Sequence, residues 1–170
     1  RFDSDMRLDR QLTLGQLTVD DMRALGDTVA SRHTAAPHAH NRIRQRVLQM
    51  TVQQMYDNFS ALQSHVSKDH LSSLVEWTER ELDTATSGFA DRFDAGFFRD
   101  CHGDLHLANL VRMPGGIRTF DCIEFSADLR TIDVMCDIAF LILDLVSKGR
   151  AEHSACFLDR LLETTGLFDD

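Results

Sequence analysis

From Phe97 onward the apolar period of this chain changes, and that change limits the fold more than any other feature. Between Thr18 and Gly96 apolar residues recur every three or four positions, the period of a helix face. Beyond Gly96 they come in short runs at residues 97–101, 110–113 and 117–123, which read as strands. Pro114-Gly115-Gly116 joins the last two runs, with glycine where a hairpin turn needs a positive φ. From residue 132 the helical period returns. The expected fold is therefore α+β and mainly helical, with a small hairpin between helices.

The helices are legible from their caps and stripes. Thr18 followed by Asp21 forms a helix N-cap with an acid at the third position, and Met22, Leu25 and Val29 share a face, which predicts a helix to about His33. Residues 35–40, with Pro37, read as a linker. After Asn41, Leu48, Val52, Met55, Phe59, Leu62 and Val66 form one stripe. Leu71, Leu74, Trp77 or Thr78, Leu82, Ala85 and Phe89 form a second stripe, with Gly96 as a stop, so two long helices are expected side by side. Residues 132–148 are apolar on nearly every side, as a central buried helix would be, and residues 150–165 form a last amphipathic helix after Gly149. Trp77, Met22, Met50 and Met55 fit core packing. Residues 1–17 show no clear period and are expected as strand or loop.

A chain of 170 residues with 43% hydrophobic residues is long enough for one sizeable core, so a single domain over 1–170 is expected. Its formal net charge of -9 argues against nucleic acid, whose binding needs clustered Lys and Arg, and leaves small or cationic partners. Cys101, Cys122, Cys136 and Cys156 stand far apart and read as buried thiols in a reducing compartment. The longest strongly apolar run, residues 138–143, stops at Asp144, too short for a membrane span. The chain opens at Arg1 without a methionine and stops at Asp170 just after a helix and Gly166, so it reads as a segment of a longer protein.

Chemistry concentrates between the first two strands, in His102-Gly103-Asp104-Leu105-His106-Leu107-Ala108-Asn109, and at the end of the third, in Phe120-Asp121-Cys122. Asp104 and Asn109 lie at opposite ends of one loop, and the hairpin returns Asp121 to the same edge. Phosphoryl transfer from ATP needs positioned metal ions and an orienting base more than covalent help. Hard Mg²⁺ takes oxygen ligands, and an Asp, an Asn five positions on and an Asp across a hairpin supply such a set.

At these residues the chain resembles the aminoglycoside phosphotransferase family, whose catalytic loop reads H-G-D-x-x-x-x-N ahead of a strand ending in a metal-binding Asp. More narrowly, residues 101–145 resemble phosphotransferase-like domains fused to a P-loop ATPase domain, which carry C-H-G-D-L-H-x-x-N and later F-D-x-I-E-F. The phrase Ile132-Asp133-Val134 through Asp137-Ile138-Ala139-Phe140-Leu141 also fits them. The resemblance implies the large, C-terminal lobe of the protein-kinase-like fold. It implies transfer of the ATP γ-phosphoryl group to a hydroxyl of a small molecule with Mg²⁺. It makes Asp104 the catalytic base, Asn109 and Asp121 the Mg²⁺ ligands, His102 a brace of the loop and Asp137 the carboxylate that holds the loop by hydrogen bonds. His106 is implied to approach the transferred phosphate. ATP use, free cysteines and the lack of a leader together give a cytoplasmic expectation.

The departure from the family is at the nucleotide site. Kinase-like enzymes hold ATP with a small-lobe lysine paired to a helix glutamate, but only Lys68 and Lys148 are lysines here, each near a helix end. No Gly-rich phosphate loop and no G-x-x-x-x-G-K-[ST] occurs. The small lobe and the P-loop partner are thus expected outside this chain, which is expected to be inactive alone. Glu124 and Asp128 follow Asp121 and are open to a second metal, substrate or no role, while Asp133 reads as a helix cap. A metal-dependent phosphoesterase, suggested by the alternation of His102, Asp104 and His106, lacks the further histidines it would need, since only His153 follows. A pseudokinase-like module regulating a fused ATPase is the other reading, and the joint retention of Asp104, Asn109 and Asp121 weighs against it.

Overall fold

Leu8, Gln11 and Leu12 recur at helical spacing and are buried, closing a short helix, α1 (Leu8–Thr13), behind a 3-10 turn at Ser4–Met6. This corrects the expectation of strand or loop over residues 1–17: six residues are too few for the period to stand out. These coordinates come from a computed structural model describing residues 3–166, apart from the side chains of Asp83 and Thr86. Arg1 and Asp170, whose character suggested a longer protein, lie outside the described residues.

The chain forms two compact units, one of Arg1–Pro37 with Arg99–Asp170 and one of His38–Phe98. In the first, α2 (Val19–Ala35) starts in a capping box: the Thr18 hydroxyl accepts the Asp21 N–H at 3.2 Å, and the Asp21 carboxylate accepts the Thr18 N–H at 2.8 Å. Arg112 adds a bidentate pair at 2.7 and 2.8 Å to the same carboxylate, whose pKa falls to about 2, chiefly through that hydrogen bond.

The second unit holds α3 (Arg44–Leu62) and α4 (Lys68–Asp94), the two long helices expected from the stripes. Its buried core is small, with Val47, Phe93 and Phe98 backed by Ile43, Leu48 and Phe89. Three expectations change. Val66 lies beyond the end of α3 and is exposed, Thr78 is the inward residue of its pair, and Trp77, expected in a core, is 53% exposed.

β1 (Phe98–Asp100) begins on the last residue of the second unit, and the first unit continues from Arg99 with β2 (Leu110–Met113) and β3 (Gly116–Thr119), an antiparallel hairpin in register from Leu110 opposite Thr119 to Met113 opposite Gly116. A single helical turn, α5 (Ala127–Arg130), leads into β4 (Thr131–Asp133), which forms a two-stranded sheet with β1. Then follow α6 (Val134–Ser147) and α7 (Ala151–Thr165). Residues 132 and 133, expected as helix, are strand, and Asp133 ends it by accepting the Met135 N–H at 2.8 Å as the α6 cap.

Leu25, Val29, Leu107, Ile138, Leu141 and Phe157 are central in the core. There α7 packs on α2 so closely that a Cβ on Gly26 would stand 3.0 Å from Phe157 O. α6 is not buried on every side, because Phe140, Leu143 and Val146 lie on an exposed face. Cys101 is buried and the other three cysteines are half-buried. Among the described residues no helix is long and apolar enough to cross a membrane.

Candidate active site

The loop between β1 and β2 is anchored by its own alternation. Leu105 and Leu107 are buried in the core, which leaves Asp104 and His106 on the open side, with side chains 48% and 35% exposed. The His106 Nδ1 accepts the Ala108 N–H at 3.2 Å and caps the 3-10 turn Leu107–Asn109, and its Nε2 stands 3.5 Å from the Asp104 carboxylate.

His102 is buried and both its ring nitrogens are engaged. Nε2 lies 2.8 Å from the Phe120 carbonyl, which can only accept, so Nε2 carries the proton and Nδ1 accepts the Asp104 N–H at 3.3 Å. Burial lowers the pKa of this ring, against the opposing effects of that hydrogen bond and the Asp137 charge, which keeps it neutral. A ring held this way braces the loop to the hairpin and has no lone pair for a metal, so the His-Asp-His alternation builds no phosphoesterase-type cluster.

Beneath the loop sits Asp137, at 1% exposure. Its carboxylate accepts the Gly103 N–H at 2.9 Å, the His102 N–H at 3.3 Å and a hydrogen bond from His33 Nε2 at 2.9 Å. Burial would raise its pKa. The His33 hydrogen bond and charge and the two N–H groups outweigh burial and hold the carboxyl below its usual range. Gly103 adopts a φ of +82°, where a Cβ would also meet Ile123 Cδ1 at 3.0 Å and Leu129 O at 3.2 Å, so the residue before Asp104 must be glycine. Asp144 ties down the other end of the loop, accepting the Leu107 N–H at 3.0 Å and pairing with Lys148.

Asn109 is buried, and its Nδ2 donates to both the main-chain oxygen of Asp104, at 3.0 Å, and its carboxylate, at 3.2 Å. That orientation leaves the amide oxygen as the group Asn109 can offer to a cation. Its own carbonyl accepts the Phe120 N–H at 3.0 Å, extending the hairpin by one step and bringing Asp121 beside it. Asp121 is exposed and has a φ of +57°, alone among the described non-glycine residues in being positive. Asp tolerates that conformation better than most residues, and the bend ends β3 at Thr119 rather than at residue 123 as expected. Beyond it the Ile123 N–H returns to the His102 carbonyl at 3.1 Å. Asp104, Asn109 and Asp121 thus gather at one edge and offer hard oxygen atoms, which suit Mg²⁺.

His33, Cys101 and Asp137 also place ligand atoms within 4.8 Å of one another. His33 and Asp137 bond each other there, and the Cys101 thiol faces the Ile132 carbonyl at 3.6 Å. Burial, ahead of the Asp137 and Asp133 charges, pushes that thiol's pKa up and disfavours the thiolate a metal would need. The cluster is a brace. His33 escaped the sequence reading because a histidine at the end of a predicted helix shows no partner more than a hundred positions away. Asp144 escaped it as the residue that merely ended an apolar run.

Comparison with known proteins agrees with the architecture. Over 98% of its length the chain superposes on three structures of glucosamine kinase, with TM-scores of 0.57 to 0.59 and 22 to 23% identity, covering 46 to 49% of those chains. One of them is in complex with glucosamine, ADP and inorganic phosphate. The chain shares the fold of the part of those structures that it covers. It is also 27% identical over 162 residues to uncharacterized proteins of Mycobacterium tuberculosis and Mycobacterium bovis, matching 93% of this chain but only 32% of their length. No known family profile matches it.

On that fold the arrangement has a half-exposed carboxylate held by a buried amide, two further oxygen donors beside it, and a rigid base of buried hydrogen bonds. It can accept a proton from a bound hydroxyl at Asp104 and offer a divalent cation the oxygens of Asn109 and Asp121.

Proposed function

We propose that this chain is the large, C-terminal lobe of a protein-kinase-like phosphotransferase of the aminoglycoside phosphotransferase type. The intact protein moves the γ-phosphoryl group of ATP to a hydroxyl of a small molecule. The observation that carries this reading is the coupling of Asn109 to Asp104, with the Asn109 amide on the Asp104 carboxylate at 3.2 Å and the hairpin setting Asp121 beside them. The likeness to glucosamine kinase, one structure of which holds ADP, supports ATP as the donor.

In this reading Asp104 orients the acceptor hydroxyl and takes its proton, and Asn109 keeps the carboxylate aimed while lending its amide oxygen to the metal. Asp121 supplies the second metal oxygen. Mg²⁺ held there would neutralise charge on the transferring phosphate. His102 and Asp137 hold the loop and touch no reactant, and His106, beside Asp104, faces the transferred phosphate. The rest of the nucleotide site, a small lobe and in the parent protein a P-loop ATPase domain, lies outside this chain, so the isolated chain is inactive. The protein works in the cytoplasm and needs neither nucleic acid nor membrane as a partner.

The test is ATP turnover by the full-length protein at saturating Mg²⁺, with and without a panel of hydroxylated small molecules, beside its Asp104→Asn variant. Acceptor-stimulated turnover that falls at least about a hundredfold in the variant, as loss of a general base does, is expected. Equal turnover in both, or none in either, would replace this reading with a regulatory, pseudokinase-like one.

A further inference from the structure

Beside the catalytic loop the first unit holds a cleft of about 360 Å³ lined by Arg32, Asp100, Cys101, Cys122, Glu124 and Arg130. Two of its charges are already matched. Arg130 pairs with the Asp100 carboxylate and also donates to the carbonyls of Ile123, at 3.1 Å, and Glu124, at 3.5 Å. The other two are open: among the described residues the Arg32 guanidinium bonds only the Thr119 hydroxyl and meets no carboxylate, and the exposed Glu124 carboxylate meets no cation.

Both open charges are tethered to the catalytic loop and the hairpin through their braces. Arg32 bonds Thr119 just ahead of Asp121, and it precedes His33, which holds Asp137. Glu124 follows Ile123, whose N–H is pinned to the His102 carbonyl at 3.1 Å. Cys101, in the cleft wall, directly precedes His102. Behind the larger effect of burial, the Arg32 charge is felt at both Cys101 and His102.

We propose that this cleft seats the acceptor, and that the acceptor is a small hydroxyl-bearing zwitterion with its carboxylate on Arg32 and its ammonium on Glu124. The proposal rests on the phosphotransferase reading. At about 360 Å³ the cleft is near the small end of ligand pockets, roughly 300–1,000 Å³, which suits a molecule of amino-acid size. A guanidinium fork matches a carboxylate in two parallel hydrogen bonds. A lone amine or a lone acid would leave one of the two charges desolvated and unmatched, which is how the site discriminates. In the reaction the acceptor oxygen forms its bond to the γ-phosphorus as the bond to the β-phosphate oxygen breaks. ADP leaves with that electron pair, and the hydroxyl proton passes to Asp104.

The experiment is calorimetric binding to the full-length protein of three probes: homoserine, which carries both charges, glucosamine, which carries only the amine, and glycerate, which carries only the acid. It is run on the wild type and on Arg32→Gln and Glu124→Gln. Homoserine is expected to bind tightest, and each variant to weaken it by roughly ten- to a hundredfold, the worth of one charge-assisted hydrogen-bonded contact. The KM for ATP is expected to stay unchanged. Glu124 is exposed, so its variant folds even where Arg32→Gln does not. Glucosamine or glycerate binding as tightly as homoserine, homoserine binding unaffected by Glu124→Gln, or no binding of any probe would each overturn the proposal. Homoserine bound through both residues but never phosphorylated would remove the phosphotransferase reading and leave the cleft. Phosphorylation of acceptors with both variants fully active would remove the cleft and leave the phosphotransferase.

Discussion

Around Asp137 one carboxylate at 1% exposure takes three donors, whereas the helices of His38–Phe98 line an open apolar cleft of about 400 Å³, with Met55, Phe59, Leu74, Trp77 and Phe89 among its walls. The two regions hold their shape by different physics. Hydrogen bonds to a buried charge have narrow distance and angle limits, so they fix the loop carrying Asp104 in one geometry and cannot be loosened gradually. Packing between α3 and α4 is dispersive and incomplete, and such packing tolerates changes of shape at little cost. Chemistry that needs atoms in place belongs with the first kind of order.

The largest effect should come from Asp137→Ala. It strands the N–H groups of His102 and Gly103 and leaves buried His33 without its partner, so unfolding stability should fall by about 3–5 kcal/mol, the usual result of removing one member of a buried pair. Denaturant titration followed by far-UV circular dichroism measures the loss. Exchange of the His102 and Gly103 amides locates it. A loss under about 1 kcal/mol, at the level of ordinary surface changes, would show that the loop is not held in this way.

In the other region Phe93→Ala removes a buried ring that packs against Phe98 with centroids 5.4 Å apart, in a core of few residues. A cost of about 3 kcal/mol is expected, at the low end for a buried Phe because so small a core can collapse. Trp77, the single tryptophan, lies in this unit, so its fluorescence follows the transition. An unchanged midpoint would mean that the unit does not depend on its small core.

Sequence reading did unequally well in the two regions, for the same physical reason. The stripes of α3 and α4 were plain because helix faces repeat, yet the choice between Trp77 and Thr78 needed the structure, since neighbouring positions straddle the edge of a face. At the site, Asp104, Asn109 and Asp121 stood out as oxygen groups spaced around a hairpin, and the register of β2 and β3 brings them to one edge. His33 and Asp144 were not legible. Each acts through a contact distant in sequence, His33 with Asp137 and Asp144 with the Leu107 N–H, and no local pattern announces such a pair. Neither was the left-handed turn at Asp121, because a strand pattern continues through residue 123 while the backbone bends at 121.

A smaller effect separates the regions by pH. His102 is held below the ordinary 6.5, mainly by burial, so the unfolded chain takes up a proton that the folded chain refuses as pH drops below that value. Its contribution is therefore present above about pH 6.5 and is lost as pH falls toward the folded pKa. Urea midpoints measured from pH 7.5 to 5 should decline more steeply in the wild type than in His102→Gln. Parallel declines would mean that the ring titrates freely and is not the neutral brace described here.

The smallest effect should be that of Trp77→Ala. Although the indole is the largest side chain in its helix, it is 53% exposed, and among the described residues it takes part in no hydrogen bond. Its removal widens the apolar cleft without opening a closed void, so the cavity penalty that makes core truncations costly does not arise. Stability by circular dichroism should change by no more than about 0.5–1 kcal/mol, as for surface positions. Against the 3 kcal/mol or more expected at Phe93, that would place the order of the helical unit at the Phe93 end and leave the cleft as a wall free to change. A loss above about 2 kcal/mol, in the range of buried aromatic truncations, would make Trp77 a core residue. The contrast between a loop fixed by buried charge and a helical pair with a yielding cleft would then fail at the cleft, since its lining would be carrying the fold.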